Sequence, residues 1–117
     1  MRKILVLDDD QVILDLLSTV LGDAGYDAVV AAGPDAIRAG VNPDLVITDL
    51  VPLKAYQRDT ALAWVASLRT RFANASVFVL TAHRAAASEP DRLGANAIIT
   101  KPFDVDALVA KIAEVLS

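Results

Sequence analysis

Three acids, a hydroxyl and a lysine carry the chemistry this sequence offers: Asp8 and Asp9, then Asp49, Thr81 and Lys101. Crowded carboxylates repel, which raises the pKa of at least one of them unless a cation intervenes. An oxygen-only cluster with room for water suits Mg²⁺, which takes one or two carboxylates and keeps waters that a phosphate oxygen can replace. A protonated lysine cannot ligate a metal, but it pairs with a carboxylate and then with a phosphoryl group as a point charge. A threonine hydroxyl at a strand end offers a donor to a further oxygen. A metal, a cation and a hydroxyl around one carboxylate are what phosphoryl transfer onto that carboxylate needs, because the reaction is mostly positioning and charge neutralisation. Asp49 would then be the nucleophile and an acyl phosphate the product.

These residues need elements that deliver them to one place. Leu45-Val46-Ile47-Thr48 lies between Asn42-Pro43 and the lone acid Asp49. A short unbroken run of this kind reads as a strand buried on both faces of a parallel sheet. Lys3–Leu7 is a second such run and ends on Asp8-Asp9. Tyr26–Ala32, Ser76–Leu80 and Ala97–Thr100 are the remaining strands, with Thr81 and Lys101 at the ends of the last two. Between them the period turns helical. Val12, Ile13, Leu16, Leu17 and Val20 share one broad face of a first helix, with Gly25 placed for a left-handed cap. Gly33-Pro34-Asp35 opens a short helix to about Gly40. Residues 50–58 read as loop. Asp59 or Thr60 can cap a helix with Ala61, Val65, Leu68 and Phe72 inward and Trp64 at the core edge. Residues 84–93 should be helical by position, but Glu89-Pro90 makes that helix short or displaced. Asp104 caps a last helix with Val105, Leu108, Val109, Ile112 and Leu116 inward.

Strands alternating with helices give an α/β fold with a five-stranded parallel sheet covered on both faces. In the strand order 2-1-3-4-5 the switch point falls between the first and third strands, where Asp8-Asp9 and Asp49 end. The 117 residues, 55% of them hydrophobic, suit one domain and reject disorder. A net charge of −4 argues against nucleic acid or an anionic membrane as a direct partner. The chain has no cysteine, so it has no disulfide framework and no thiolate metal site. Its apolar runs are too short for a membrane span, and Asp8-Asp9-Asp10 stops the first one too early for a signal peptide. The expectation is a cytoplasmic domain.

The motifs together resemble the receiver domain of two-component response regulators. The resemblance rests on Ile4-Leu-Val-Leu-Asp8-Asp9, Pro43-Asp-Leu-Val-Ile-Thr-Asp49, Val79-Leu80-Thr81-Ala82 and Gly94-Ala95 leading to Thr100-Lys101-Pro102-Phe103, in that order across the chain. It implies a flavodoxin-like (βα)5 doubly wound fold over residues 1–117. It also implies Asp49 as acceptor of phosphate from a histidine kinase or phosphotransfer protein. Mg²⁺ would be held by Asp8, Asp9, Asp49 and the backbone carbonyl of Val51, Asp8 acting largely through water. Thr81 and Lys101 would hold phosphoryl oxygens, and Lys101-Pro102 would be a cis peptide. The chain would be mainly a signalling switch whose self-catalysed steps are phosphotransfer and autodephosphorylation. Its downstream protein is unspecified, and the implied state is a monomer or weak dimer. With Ser117 as the last residue, no output module is expected, although a truncated regulator gives the same sequence.

The sequence also departs from that family. Asp49-Leu50-Val51-Pro52 brings proline one residue early, the usual following glycine is missing, and the stretch to Leu68-Arg69 is longer. Ile98 occupies the switch position, three residues before Lys101, where an aromatic or histidine is usual. The signalling face that relatives build from the fourth helix, fifth strand and fifth helix is remodelled by Pro90. These departures keep a second reading open: a degenerate receiver that binds proteins independently of phosphate. A third reading takes Leu7-Asp8-Asp9-Asp10 as the opening of a haloacid-dehalogenase-like phosphatase, with Asp8 as nucleophile and Asp10 as acid–base. That reading lacks a late acidic pair and leaves Asp49 without a purpose. On its own Asp10 reads as a helix cap. His83, the only histidine, reads as a solvated loop residue near enough to influence water attack.

Overall fold

The computed structural model describes residues 2–50 and 55–116. Its elements are β1 (Lys3–Leu7), α1 (Gln11–Asp23), β2 (Asp27–Ala31), a 3₁₀ turn (Pro34–Ala36), β3 (Leu45–Thr48), α2 (Arg58–Arg71), β4 (Ser76–Thr81), α3 (Arg84–Ala87), a second 3₁₀ turn (Arg92–Gly94), β5 (Ala97–Thr100) and α4 (Val105–Leu116). All strand pairs are parallel, in the order β2-β1-β3-β4-β5. The flavodoxin-like α/β arrangement expected from the sequence is the one observed. The register aligns Leu7 with Thr48 and Thr81 with Thr100, so the chain leaves these strands at a common edge.

Successive strand residues face opposite sides of the sheet, and each side has its own core. Ile4, Val6, Leu45, Ile47, Phe78 and Leu80 pack with Leu14, Leu17 and Leu21 of α1 and Leu108, Ile112 and Leu116 of α4. Leu5, Leu7, Val46, Val77 and Val79 pack with Ala61, Val65 and Leu68 of α2, with Phe72 just after it, and with Ala86 and Leu93. The inward stripe expected for α2 is therefore the one buried. Of the α4 residues expected inward, Leu108, Ile112 and Leu116 are buried, while Val105 and Val109 are half-buried. Asp104 accepts from the Ala107 amide at 3.0 Å and caps that helix.

Three expectations need correction. The buried face of α1 is Leu14, Leu17 and Leu21, while Val12 and Leu16 are exposed. This helix is apolar on more than one side, so periodicity alone could not say which side meets the sheet. Residues 34–40 form only the 3₁₀ turn, because Ile37 is already extended (ψ 124) and Gly40 has φ +83. A seven-residue stretch that buries one apolar side chain, Ile37, has too little to hold a helix together. Finally, α2 begins before Asp59, with Gln57 at its N-cap and no side-chain cap. Its first turn is tied instead by long-range pairs from Arg58 to Glu89 and Asp91.

The interruption at Pro90 is as expected. One turn of α3 is followed by a loop in which Arg92 and Leu93 take positive φ, and Gly94 (φ +79) closes it. Among the described residues no helix is long and apolar enough to cross a membrane.

Candidate functional site

β1 ends in the core and hands the chain to Asp8, which is 1% exposed, and then to exposed Asp9. Asp10 caps α1, its Oδ1 accepting from the Val12 amide at 2.9 Å. It is therefore a structural residue, as its type alone suggested. Asp49 follows β3, and its amide donates to the Leu7 carbonyl at 2.8 Å, which extends the β1–β3 ladder into the site. Lys101 follows β5, anchored by its amide on the Thr81 carbonyl at 2.8 Å.

These anchors bring a cation between two acids. Lys101 Nζ lies 2.8 Å from Asp8 Oδ2 and 3.2 Å from Asp49 Oδ2. The other oxygens are held by main chain: Asp8 Oδ1 accepts from the Asp10 amide at 2.9 Å, and Asp49 Oδ1 from the Leu50 amide at 2.8 Å. Burial pushes the Asp8 carboxyl above the usual carboxylate range; its hydrogen bonds from Lys101 and the Asp10 amide oppose this only in part. For the Lys101 ammonium, burial acts downward, but the Asp8 hydrogen bond and the charges of Asp49 and Asp8 outweigh it and hold it above the usual lysine value. An ion pair ordinarily lowers its acid. Here the acid is the more deeply enclosed partner, 1% against 19% side-chain exposure, so desolvation dominates on that side.

Asp8, Asp9 and Asp49 each present a carboxylate oxygen within 4.8 Å of the others. An all-oxygen set of three acids, one of them with its charge disfavoured by burial, fits a hard divalent cation such as Mg²⁺. Thr81 is fully buried at the end of β4, and its Oγ1 accepts from the His83 amide at 3.0 Å. Among the described residues that hydroxyl makes no hydrogen bond to Asp49 or Lys101. Lys101-Pro102 is cis. Val51 lies outside the described residues. Ile98 is half-buried and packs on the core.

A profile of the response regulator receiver domain matches residues 4–113. The chain belongs to this family. This receiver domain is 34% identical over 124 residues to the DNA-binding dual master transcriptional regulator RpaA of Synechocystis, a match covering 99% of the chain and 49% of that protein. It is 32% identical over 126 residues to the sensory transduction protein RegX3 of Mycobacterium tuberculosis, covering 99% of the chain and 51% of the relative. The chain thus spans about half the length of these curated relatives. Among solved structures it is similar to the response regulator TrrA of Thermotoga maritima in complex with Mg²⁺-BeF. That match has a TM-score of 0.77 and 27% identity over 98% of this chain and 99% of the other.

Three features around the receiver site were not visible in the sequence. Thr48, fully buried at the end of β3, accepts from the Trp64 indole at 3.0 Å and donates to the Asp49 carbonyl at 2.7 Å. His83 is half-buried rather than solvated, with its ring 6.3 Å from that of Tyr56. An open apolar hollow of about 500 Å³, lined by Ile13, Leu16, Ala82, Lys101, Pro102 and Phe103, adjoins the site through Lys101. Only the Trp64 indole carried a hint, since a partly buried N–H needs an acceptor; the sequence does not say which.

Proposed function

We propose that this receiver domain is a phosphoacceptor switch in which Asp49 takes a phosphoryl group from a histidine kinase or phosphotransfer protein. The observation that carries this is Lys101 Nζ bridging Asp8 and Asp49. A positive charge shared by two acids at the end of a parallel sheet stands where phosphoryl oxygens would arrive. An Asp49 carboxylate oxygen attacks phosphorus, the P–N bond to the donor imidazole breaks, and the imidazole leaves with the bonding pair and takes up a proton. Asp8, Asp9 and Asp49 would hold Mg²⁺, with the Val51 carbonyl as a further ligand. When bound, the ion supplies charge neutralisation for the transferred group. Lys101 gives a second positive charge, and Thr81 a hydroxyl once it turns from the His83 amide. Complexation of TrrA with Mg²⁺-BeF supports this reading through the similarity of the two chains.

The product adds negative charge beside Lys101 and Thr81, and a two-state element must answer it. That element is the face built from α3, the loop that follows it, β5 and α4, which would then bind an unidentified downstream protein. The apolar hollow that shares Lys101 gives a donor protein surface to dock against. The chain is proposed to act in the cytoplasm as a monomer or weak dimer, with no direct contact to nucleic acid or membrane. The phosphatase alternative is disfavoured because Asp10 is committed to capping α1 and Asp8 is enclosed.

The test is incubation with Mg²⁺ and acetyl phosphate, followed by intact mass measurement of wild type and Asp49→Asn. A phosphate-sized gain in wild type alone is expected. A gain that survives Asp49→Asn and disappears in Asp8→Asn moves the nucleophile. No gain in wild type, from acetyl phosphate or from a phosphorylated kinase, overturns the reading in favour of the phosphate-independent module.

A further inference from the structure

We propose that Thr48 and Trp64 are positioning residues for the Asp49 carboxylate, acting through the peptide bond that joins Asp49 to Leu50; this rests on Asp49 being the phosphoacceptor. Three hydrogen bonds run in one direction. The Trp64 indole donates to Thr48 Oγ1 at 3.0 Å, and Thr48 Oγ1 donates to the Asp49 carbonyl at 2.7 Å. The Leu50 amide donates to Asp49 Oδ1 at 2.8 Å. An indole N–H is a donor only, so its bond takes a lone pair of the hydroxyl and leaves the hydroxyl proton for the carbonyl. Serial hydrogen bonds in a low-dielectric interior strengthen one another, and Thr48 is fully buried.

The Asp49 carbonyl and the Leu50 N–H belong to the same planar group and point in opposite directions. Fixing one therefore fixes the other. The clamp on the carbonyl sets the direction of the N–H, and that N–H grips Oδ1 of the same aspartate. Gripping Oδ1 fixes the rotation of the carboxylate and leaves Oδ2 on the Lys101 side, 3.2 Å from Nζ. The two oxygens are thus made unequal, one on a neutral amide and one on an ammonium. Trp64 contributes this from α2, a different element from the β3 end that carries the acceptor. The simpler role, mutual satisfaction of two buried polar groups, would affect stability and leave the orientation of Asp49 alone.

The two roles separate in kinetics with acetyl phosphate and Mg²⁺. Thr48→Val keeps the shape and removes the hydroxyl, Thr48→Ser restores it, and Trp64→Phe removes the donor to it together with part of the ring that packs on the core. Because small misplacements of a reacting group have large rate effects, Thr48→Val should lower the saturating phosphorylation rate roughly tenfold. The half-saturating acetyl phosphate concentration should not change. Thr48→Ser should recover most of the rate, and Trp64→Phe should fall between the two. The chain's only indole gives a second readout: its emission should respond to phosphorylation in wild type and Thr48→Ser but not in Thr48→Val. A wild-type rate in both Thr48→Val and Trp64→Phe, or an emission response that survives loss of the hydroxyl, overturns the proposal while the phosphoacceptor reading stands. A wild type that takes up no phosphate overturns both.

Discussion

Tyr56 donates its hydroxyl to Glu89 Oε1 at 2.9 Å, joining the segment after Asp49 to the loop that replaces most of the helix between β4 and β5. Burial first, then the hydrogen bond and charge of Glu89, push the phenol up to about 12 from 10.0. A raised acid pKa means the fold favours the neutral form. The contact therefore contributes stability that is fully present below pH 10 and is lost as pH rises toward 12. Melting temperatures of wild type and Tyr56→Phe should converge across that window, and ultraviolet difference spectra should show a late-titrating phenol that Tyr56→Phe lacks. A phenol that ionises near its ordinary value in the folded protein rules the contact out.

The same loop is held from a second side by Arg58, which pairs with Glu89 and Asp91. The Arg58 guanidinium holds the Asp91 carboxyl down to about 2, helped by the Leu93 amide. A lowered acid pKa gives stability that is present above the ordinary value of 3.8 and lost as pH falls from there to about 2. Asp91→Asn keeps an acceptor for the Leu93 amide and removes the charge. Its melting temperature should lie below wild type at neutral pH and meet it in acid. Both side chains of the pair are well exposed, so the gap should be small and should narrow in high salt.

These ties mark where the sequence stops being informative. The strands were legible because a β-branched run buried on both faces needs no partner to be recognised, and Asp8, Asp49, Thr81 and Lys101 follow from where those runs end. Asp10 and Asp104 were legible as caps because capping is local. The start of α2 was not, since Arg58 reaches Glu89 and Asp91 more than thirty residues on and overrides the local choice of Asp59 or Thr60. Thr48 looked like one more β-branched strand residue. Its role exists only because α2 carries Trp64 across to it, sixteen residues later.

Lys101 offsets the repulsion between Asp8 and Asp49, so its loss should be felt through Asp8. In Mg²⁺-free buffer Lys101→Met should destabilise the fold by about 2–3 kcal/mol. That is less than a fully buried pair because Lys101 and Asp49 retain some exposure. Asp8→Asn removes the enclosed charge and keeps an acceptor for the Asp10 amide. In that background the same lysine substitution should cost at least about 1 kcal/mol less. Urea unfolding of the four proteins in the cycle measures the coupling; additive effects would show that Lys101 does not answer the Asp8 charge.

Two residues of α1 separate its two apolar sides. Leu17 is fully buried against the sheet, whereas Val12 is 73% exposed although it begins the stripe that periodicity picks out. Removing Leu17 leaves a cavity among Ile4, Val6 and the α4 residues that share its cluster, so Leu17→Ala should cost about 2–5 kcal/mol. Val12→Ala removes surface that water already reaches and should change stability by no more than about 0.5 kcal/mol. Denaturant midpoints of the two variants at a common m-value decide which face packs. Equal losses would mean that the helix is rotated toward its Val12 side in solution.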